Sequence, residues 1–223
     1  TVGKGAHSIA GSTVVGESAL DGNNSGANNT AIGKSVLTNN TSGAQNTSVG
    51  GSSMENNTTG ANNTAVGEGA LQQNTTANQN TAVGKAALGA NTTGGGNNGV
   101  GYQALRMNTN GASNNALGQN ALYSNTSGSS NVAVGHQALQ ANTTASNNTA
   151  VGINALLSNT TGSANASVGS ESLKNVTTGS NNVAVGHRAL EENTTANNNT
   201  AVGYETLREN TTGTNNVAVG IGC

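Results

Sequence analysis

The side chains able to do acid–base, nucleophilic or metal chemistry are few and widely separated. There are three histidines, His7, His136 and His187, one cysteine, Cys223, and one aspartate, Asp21. His136 and His187 occupy the same place in a 17-residue repeat, three periods apart. Stacked strands about 4.8 Å apart would hold them roughly 14 Å from one another, too far to share a metal ion. Both are expected to be exposed surface residues. A lone thiol excludes an internal disulfide or a cysteine-based metal site, and its remaining use would be to link chains. The run Gly94-Gly95-Gly96 has no following lysine and no strand-to-helix context, so it is not a phosphate loop. The carboxylates form no recurring pair suited to glycoside hydrolysis. No Ser–His–Asp arrangement stands out, and calcium repeats of the G-G-x-G-x-D type are absent. Sequons of the N-x-S/T type abound, as at Asn57-Thr58-Thr59, but in a chain rich in Asn and Thr they carry little information. The expectation is a protein without cofactor or metal that is not an enzyme.

Composition says what such sparse chemistry is mounted on. The 223 residues include no Trp, Phe or Pro, three Tyr (Tyr102, Tyr123, Tyr204) and only 7% charged residues. A globular core of aromatic and branched aliphatic side chains cannot be assembled from this. Disordered chains usually carry many charges and prolines, and this one does not. A polar chain that folds by backbone pairing is implied. The net charge of −2 gives no electrostatic case for nucleic acid or an anionic membrane. Apolar runs are too short to span a bilayer, so no membrane insertion is expected. No signal peptide is legible before the repeats begin at Thr1.

The organisation is a single repeat. Gly16, Gly33, Gly50 and their successors to Gly220 follow one another at 17-residue intervals without insertion or deletion. Strict spacing of this kind is the signature of a solenoid in which each turn packs on the next in one register. With the glycine as position 0, the consensus is G-x-x-A-L-x-x-N-T-T-G-x-N-N-T-A-V. Seventeen residues are too few for a helix pair and suit one coil of short strands and tight turns. The fold class predicted is therefore mainly all-β: a parallel β-solenoid, or β-roll, of about 13 turns. It forms one domain over residues 1–223, with a short first turn at 3–15 and twelve full turns at 16–219.

Each column of the repeat carries its own expectation. T-A-V alternates with period 2 and reads as a strand, with positions 14 and 16 on one side and position 15 on the other. The stretch x-x-A-L-x-x fits either a second short strand or one helical turn. N-T-T-G is a turn signal. The core is expected from Leu20, Leu37, Leu71, Leu88 and Leu105 at position 4, and from Val66, Val83, Val134 and Val151 at position 16. Position 13 is Asn in every full turn: Asn29, Asn46, Asn63, Asn80, Asn97, Asn114, Asn131, Asn148, Asn165, Asn182, Asn199 and Asn216. Stacked amides can bond above and below, so these residues are expected to form a structural ladder or, failing that, to serve as turn formers. Position 15 admits only Ala, Ser or Gly in the full turns. Its members Ala31, Ala65, Ala82, Ala133, Ala150, Ala184, Ala201 and Ala218 are the candidate chain–chain contact, because a flat row of small residues lets backbones approach closely.

The charged residues fall only at positions 1, 2, 5 and 6, with Lys4 following the same rule in the short first turn. One edge is thus solvated, and the remaining arc carries no charge. Neither end reads as capped, and thirteen turns at about 4.8 Å each would give a rod on the order of 60 Å.

The segments NNTAVGEGAL, NTAVGKAAL, NVAVGHQAL and NTAVGYETL resemble repeats of phage and viral fibre proteins and the SVAIG-type head repeats of trimeric autotransporter adhesins. The likeness runs over essentially the whole chain. It implies a parallel β-roll, often trimeric, outside the cell and used in attachment. The adhesin heads mostly repeat every 14 or so residues, and their neck, stalk and membrane anchor have no counterpart here. The function expected is a non-enzymatic structural module of a self-associating extracellular or virion fibre, adhesive in some settings. It would sit at a cell or virion surface, with itself as partner in a homotrimer or an end-to-end filament, and with a surface glycan or receptor as a further partner. The alternative is a surface-binding solenoid that meets ice or glycan through paired threonines at positions 8 and 9, such as Thr58-Thr59, Thr75-Thr76 and Thr194-Thr195.

Overall fold

A computed structural model describes residues 9–223 and the backbone of residues 2 and 3. Lys4 and His7 lie outside the described residues. The chain divides into two compact units, Thr1–Ser113 and Asn114–Cys223. The first holds β1 (Val2–Gly3), β2 (Thr13–Val15), β3 (Thr30–Ile32), β4 (Thr47–Val49), β5 (Thr64–Val66), β6 (Thr81–Val83) and β7 (Asn98–Val100). The second holds β8 (Asn115–Leu117), β9 (Val132–Val134), β10 (Thr149–Val151), β11 (Ala166–Val168), β12 (Val183–Val185), β13 (Thr200–Val202) and β14 (Val217–Val219). Within each unit the strands lie in chain order. From β2 to β7 and from β8 to β14 the pairing is parallel and joins equivalent residues 17 apart. Thr64, Ala65 and Val66 face Thr81, Ala82 and Val83, and Val183, Ala184 and Val185 face Thr200, Ala201 and Val202. Both units are parallel β-solenoids, as the period predicts, and no helix occurs among the described residues.

The expected short first turn takes another form. β1 runs antiparallel to β2, pairing Val2 with Val15 and Gly3 with Val14. A segment four residues short of the period does not return in parallel register, and β1 and β2 pair in opposite directions instead.

The strands are only three residues long, so most of each coil must find its hydrogen bonds elsewhere. The stretch at positions 1–6 is neither strand nor helix but a run of turns. Residues at positions 2, 4 and 12 adopt left-handed φ, as in Ser35 (56°), Leu37 (50°) and Gln45 (59°), and this recurs along the chain. Reversing handedness at alternate residues aims successive amides up and down the stack. Ser35 N donates to Glu17 O in the turn before (2.9 Å), and Leu37 N to Ser53 O in the turn after (3.2 Å). Further round, Asn39 N donates to Glu55 O (3.0 Å) and Thr41 N to Thr58 O (2.9 Å). Inter-turn bonding therefore continues around the coil, and the chain gets by with little bulk burial.

The interior is narrow. Leu20, Leu37, Leu71, Leu88 and Leu105 are fully buried, as expected for position 4, and Met54 is equally buried where it replaces leucine. The two sides of the strand are reversed from expectation. Ala31, Ala65, Ala82, Ala133, Ala150, Ala184 and Ala201 are at 0% exposure and Ala218 is half-buried, so position 15 is core and not a chain–chain contact. Val66 and Val83 are exposed and Val134 and Val151 half-buried, so position 16 is not core. The reason is space: a Cβ built on Gly99 would lie 3.3 Å from Leu88 Cγ, so the position-15 column lies against the leucine column, with room for little beyond a methyl or hydroxymethyl group. The two serines at position 15 bear this out. Ser48 pairs with Ser53 (2.6 Å) and Ser167 with Ser172, each at position 3 of the next turn, so one buried hydroxyl satisfies the other.

The opposite side of the interior is polar. Position 13 forms the expected asparagine ladder, mostly by side chain to backbone. Asn63 N donates to Asn46 Oδ1 (3.0 Å), while Asn63 Nδ2 donates to Ala77 O (2.9 Å). A second ladder runs at position 7, within the sequence read as a turn. Asn57 Nδ2 donates to Asn40 Oδ1 (2.7 Å) and Gly60 O (3.0 Å), and Asn74 Nδ2 donates in turn to Asn57 Oδ1 (2.7 Å). This second ladder stops at Asn159, and beyond it Asn193 and Asn210 bond only within their own turns. Val176 stands where asparagine is otherwise found, and the buried Oδ1 of Asn159, one turn before, has no donor. Val176→Asn is expected to raise stability despite removing a buried aliphatic side chain. It would give Asn159 its donor and Asn193 its acceptor, a net gain of about 1 kcal/mol. A higher urea midpoint at unchanged slope would bear this out, and a lower midpoint would refute it.

Candidate functional site

Among the described residues no group of three or more His, Cys, Asp or Glu side chains is placed to hold a metal ion. His136 and His187 are both exposed, and His187 stacks on Tyr204 with ring centroids 5.5 Å apart. Charged groups pair with neighbours one turn away or, for Lys174 with Glu171, three residues along the same turn. In the first unit Lys34 meets Glu17 (3.2 Å) and Lys85 meets Glu68 (2.9 Å), and the hydrogen bond to Glu68 raises the Lys85 pKa. In the second, Glu171 accepts from Arg188 (2.9 Å) and Lys174 (3.1 Å), which hold its carboxyl below the usual carboxylate range. Glu191 likewise accepts from Arg208 (2.9 Å). These contacts are local and solvated, so water and salt screen them and each contributes little to stability. A shallow depression of about 480 Å³ on the charged edge of the first unit, lined by Lys34, Glu68, Lys85 and Arg106 among others, is open where Gly51 and Gly69 lack side chains.

The more distinctive surface is the outward side of the strands. Position 15 points inward, so positions 14 and 16 point out, one side chain of each kind per turn. The column at position 16 is aliphatic throughout: Ile32 is 37% exposed, Val83 37%, Leu117 52% and Val185 39%. Position 14 is threonine in β2 to β6, β10 and β13, valine in β9, β12 and β14, asparagine in β7 and β8, and alanine in β11. No strand carries a charge. Every residue is fixed by its own ladder: Thr64 N donates to Asn80 O (2.8 Å) and Gly67 N to Val49 O (2.8 Å) at the two ends of the strand. The result in each unit is a rigid, uncharged face, mostly of β-branched side chains, that repeats at the strand spacing. Sequence reasoning placed its candidate chain–chain contact at position 15, the side of the strand that is buried. The distinguishing signal is size tolerance, since position 16 accepts Val, Ile or Leu whereas position 15 accepts nothing larger than Ser in a full turn.

The paired threonines have divided roles. Thr58 Oγ1 donates to Thr75 O (2.9 Å) and Thr75 Oγ1 to Thr92 O (3.0 Å), so the position-8 hydroxyls belong to the ladder. Those at position 9, such as Thr59, Thr76 and Thr195, stand exposed. No family model matches the chain, and no curated protein matches it either.

Proposed function

We propose that the chain is a non-enzymatic structural module of an extracellular or virion fibre that associates with copies of itself. The observation that carries this reading is the exposed aliphatic column at position 16, set in a face without a single charge. Contiguous exposed apolar surface on a rigid element marks an association site more often than a solvated one. A second copy presents the same spacing, so its side chains interdigitate with this face turn by turn. The resemblance to fibre and adhesin-head repeats supports the same role and favours a trimer or filament at a cell or virion surface.

Replacing the outward residues Val66, Val83, Val185 and Val202 by lysine is expected to convert assemblies to single chains. The fold should survive, because the substituted side chains point away from the core. Sedimentation and negative-stain electron microscopy of both proteins provide the check. An unaltered protein that sediments as a single chain at high concentration would refute the proposal. The ice- or glycan-binding alternative has less support, because half of its hydroxyl array is already engaged in the ladder.

A further inference from the structure

The abundance of N-x-S/T sequons takes on meaning once the asparagines are located. Of the eleven asparagines at position 7, ten head a sequon, completed by a Ser or Thr at position 9. Asn40, Asn57, Asn74, Asn91, Asn125 and Asn142 are typical, and each is at 0% exposure. Their amide nitrogens have no hydrogen to spare. Asn40 Nδ2 donates to Asn23 Oδ1 (3.0 Å) and Gly43 O (2.9 Å), and Asn142 Nδ2 to Asn125 Oδ1 (2.8 Å) and Ala145 O (3.1 Å). N-glycosylation replaces one Nδ2 hydrogen, lost as a proton to a base of the transferase, by the anomeric carbon of an oligosaccharide, whose lipid pyrophosphate carrier leaves with the electron pair of the broken C–O bond. In this interior the new bond would break a ladder contact and force a bulky polar group into a space where the asparagine side chain is fully buried. Transfer takes place on the unfolded chain as it enters the secretory compartment, so later burial gives no protection.

We infer that this chain folds in a compartment without oligosaccharyl transfer, and that it reaches any extracellular or virion location by a route that avoids one. The position-7 sequons join the ladder's asparagine to an exposed Ser or Thr at position 9 that the ladder does not require. Passage through an N-glycosylating compartment would modify several turns at once and prevent the coils from closing. This inference does not depend on self-association.

The structure also supplies a clean test. The position-9 hydroxyls complete the sequons yet stand exposed outside the ladders. Substituting alanine at Ser25, Ser42, Thr59, Thr76, Thr93 and their equivalents in the second unit removes the position-7 acceptors, and Ser48→Ala with Ser167→Ala removes the two buried acceptors at position 13, Asn46 and Asn165; the ladder asparagines stay in place, and alanine is the usual residue at position 15. Both chains are produced in a cytoplasm and, with a cleavable leader, through the secretory pathway of a eukaryotic cell. The unaltered chain should be folded and protease-resistant from the cytoplasm, but retained and heavily glycosylated in the secretory pathway. The alanine variant should be secreted folded, carrying sugar only at asparagines outside the two ladders, such as Asn28, Asn62, Asn147 and Asn198. Blocking synthesis of the lipid-linked oligosaccharide should rescue the unaltered chain in the same way, which keeps the test valid if the variant fails to fold. Secretion of the unaltered chain in folded form without the block, or failure of the block to restore it, would overturn the inference.

Discussion

Gly84→Ala is expected to destabilise the first unit by about 3 kcal/mol, whereas Gly51→Ala, in the same unit, should stay within about 0.5 kcal/mol of the parent. Gly84 has φ of +128°, in a region that essentially only glycine enters, and the Cβ of an alanine there would sit 2.5 Å from Gly101 O in the next turn. Relieving that contact means lifting one coil from its neighbour along the strand end, where Gly84 N donates to Val66 O (2.8 Å). Gly51 has open space around its missing Cβ and no such backbone requirement. Urea denaturation of both variants separates the two effects. Equal midpoints would show that the conserved spacing of the position-0 glycine reflects something other than conformation and close stacking. The choice of position matters more than the chemistry of the change.

The second large effect belongs to the interior amides. Asn57→Ala removes the donor that satisfies Asn40 Oδ1 and the acceptor that receives Asn74 Nδ2. Both neighbours are buried, and each group left unpaired costs about 1–3 kcal/mol, so a loss of about 3 kcal/mol is expected. Thr59→Ala, two residues along and exposed, should be close to neutral. A small loss at Asn57, comparable to that at Thr59, would mean that water replaces the ladder and that the polar interior is not dry. Hydrogen exchange of the neighbouring Asn40 and Asn74 side-chain amides would report the same break directly. Because the repeat is bonded turn to turn, the damage is expected to centre on the coils either side of the substitution.

The fold class and the 17-residue register were legible because one glycine and one leucine recur without slippage, and only a stacked coil explains that. The orientation of the strand was not. Period-2 alternation tells which residues share a side but is unchanged when the two sides are exchanged. The column restricted to Ala, Ser and Gly suggested close approach, and the approach proves to be internal, against leucine. The ladder at position 13 was legible because Asn there never varies. The one at position 7 was hidden, since N-T-T-G is also good turn chemistry and Val176 breaks its uniformity. The left-handed leucines at position 4 had no sequence signal at all: a bulky residue is tolerated there because its side chain is fully buried and its amide is held by the next turn.

A chain of near-identical coils faces a hazard that most proteins avoid, because any turn can be laid on the wrong neighbour with its asparagines, alanines and leucines still matched. The ion pairs of the second unit bear on this. At position 2 the succession is Glu171, Arg188, Glu205, and at position 5 it is Lys174, Glu191, Arg208, so the sign reverses from one coil to the next in both columns. Skipping a coil would set Glu171 against Glu205 and Lys174 against Arg208, like charges directly opposed. The columns of alanine and asparagine are blind to that error and the charged columns are not. Modest as each pair is, the alternation acts as a parity check on assembly, supplying in a low-complexity sequence the information that tells one coil from the next.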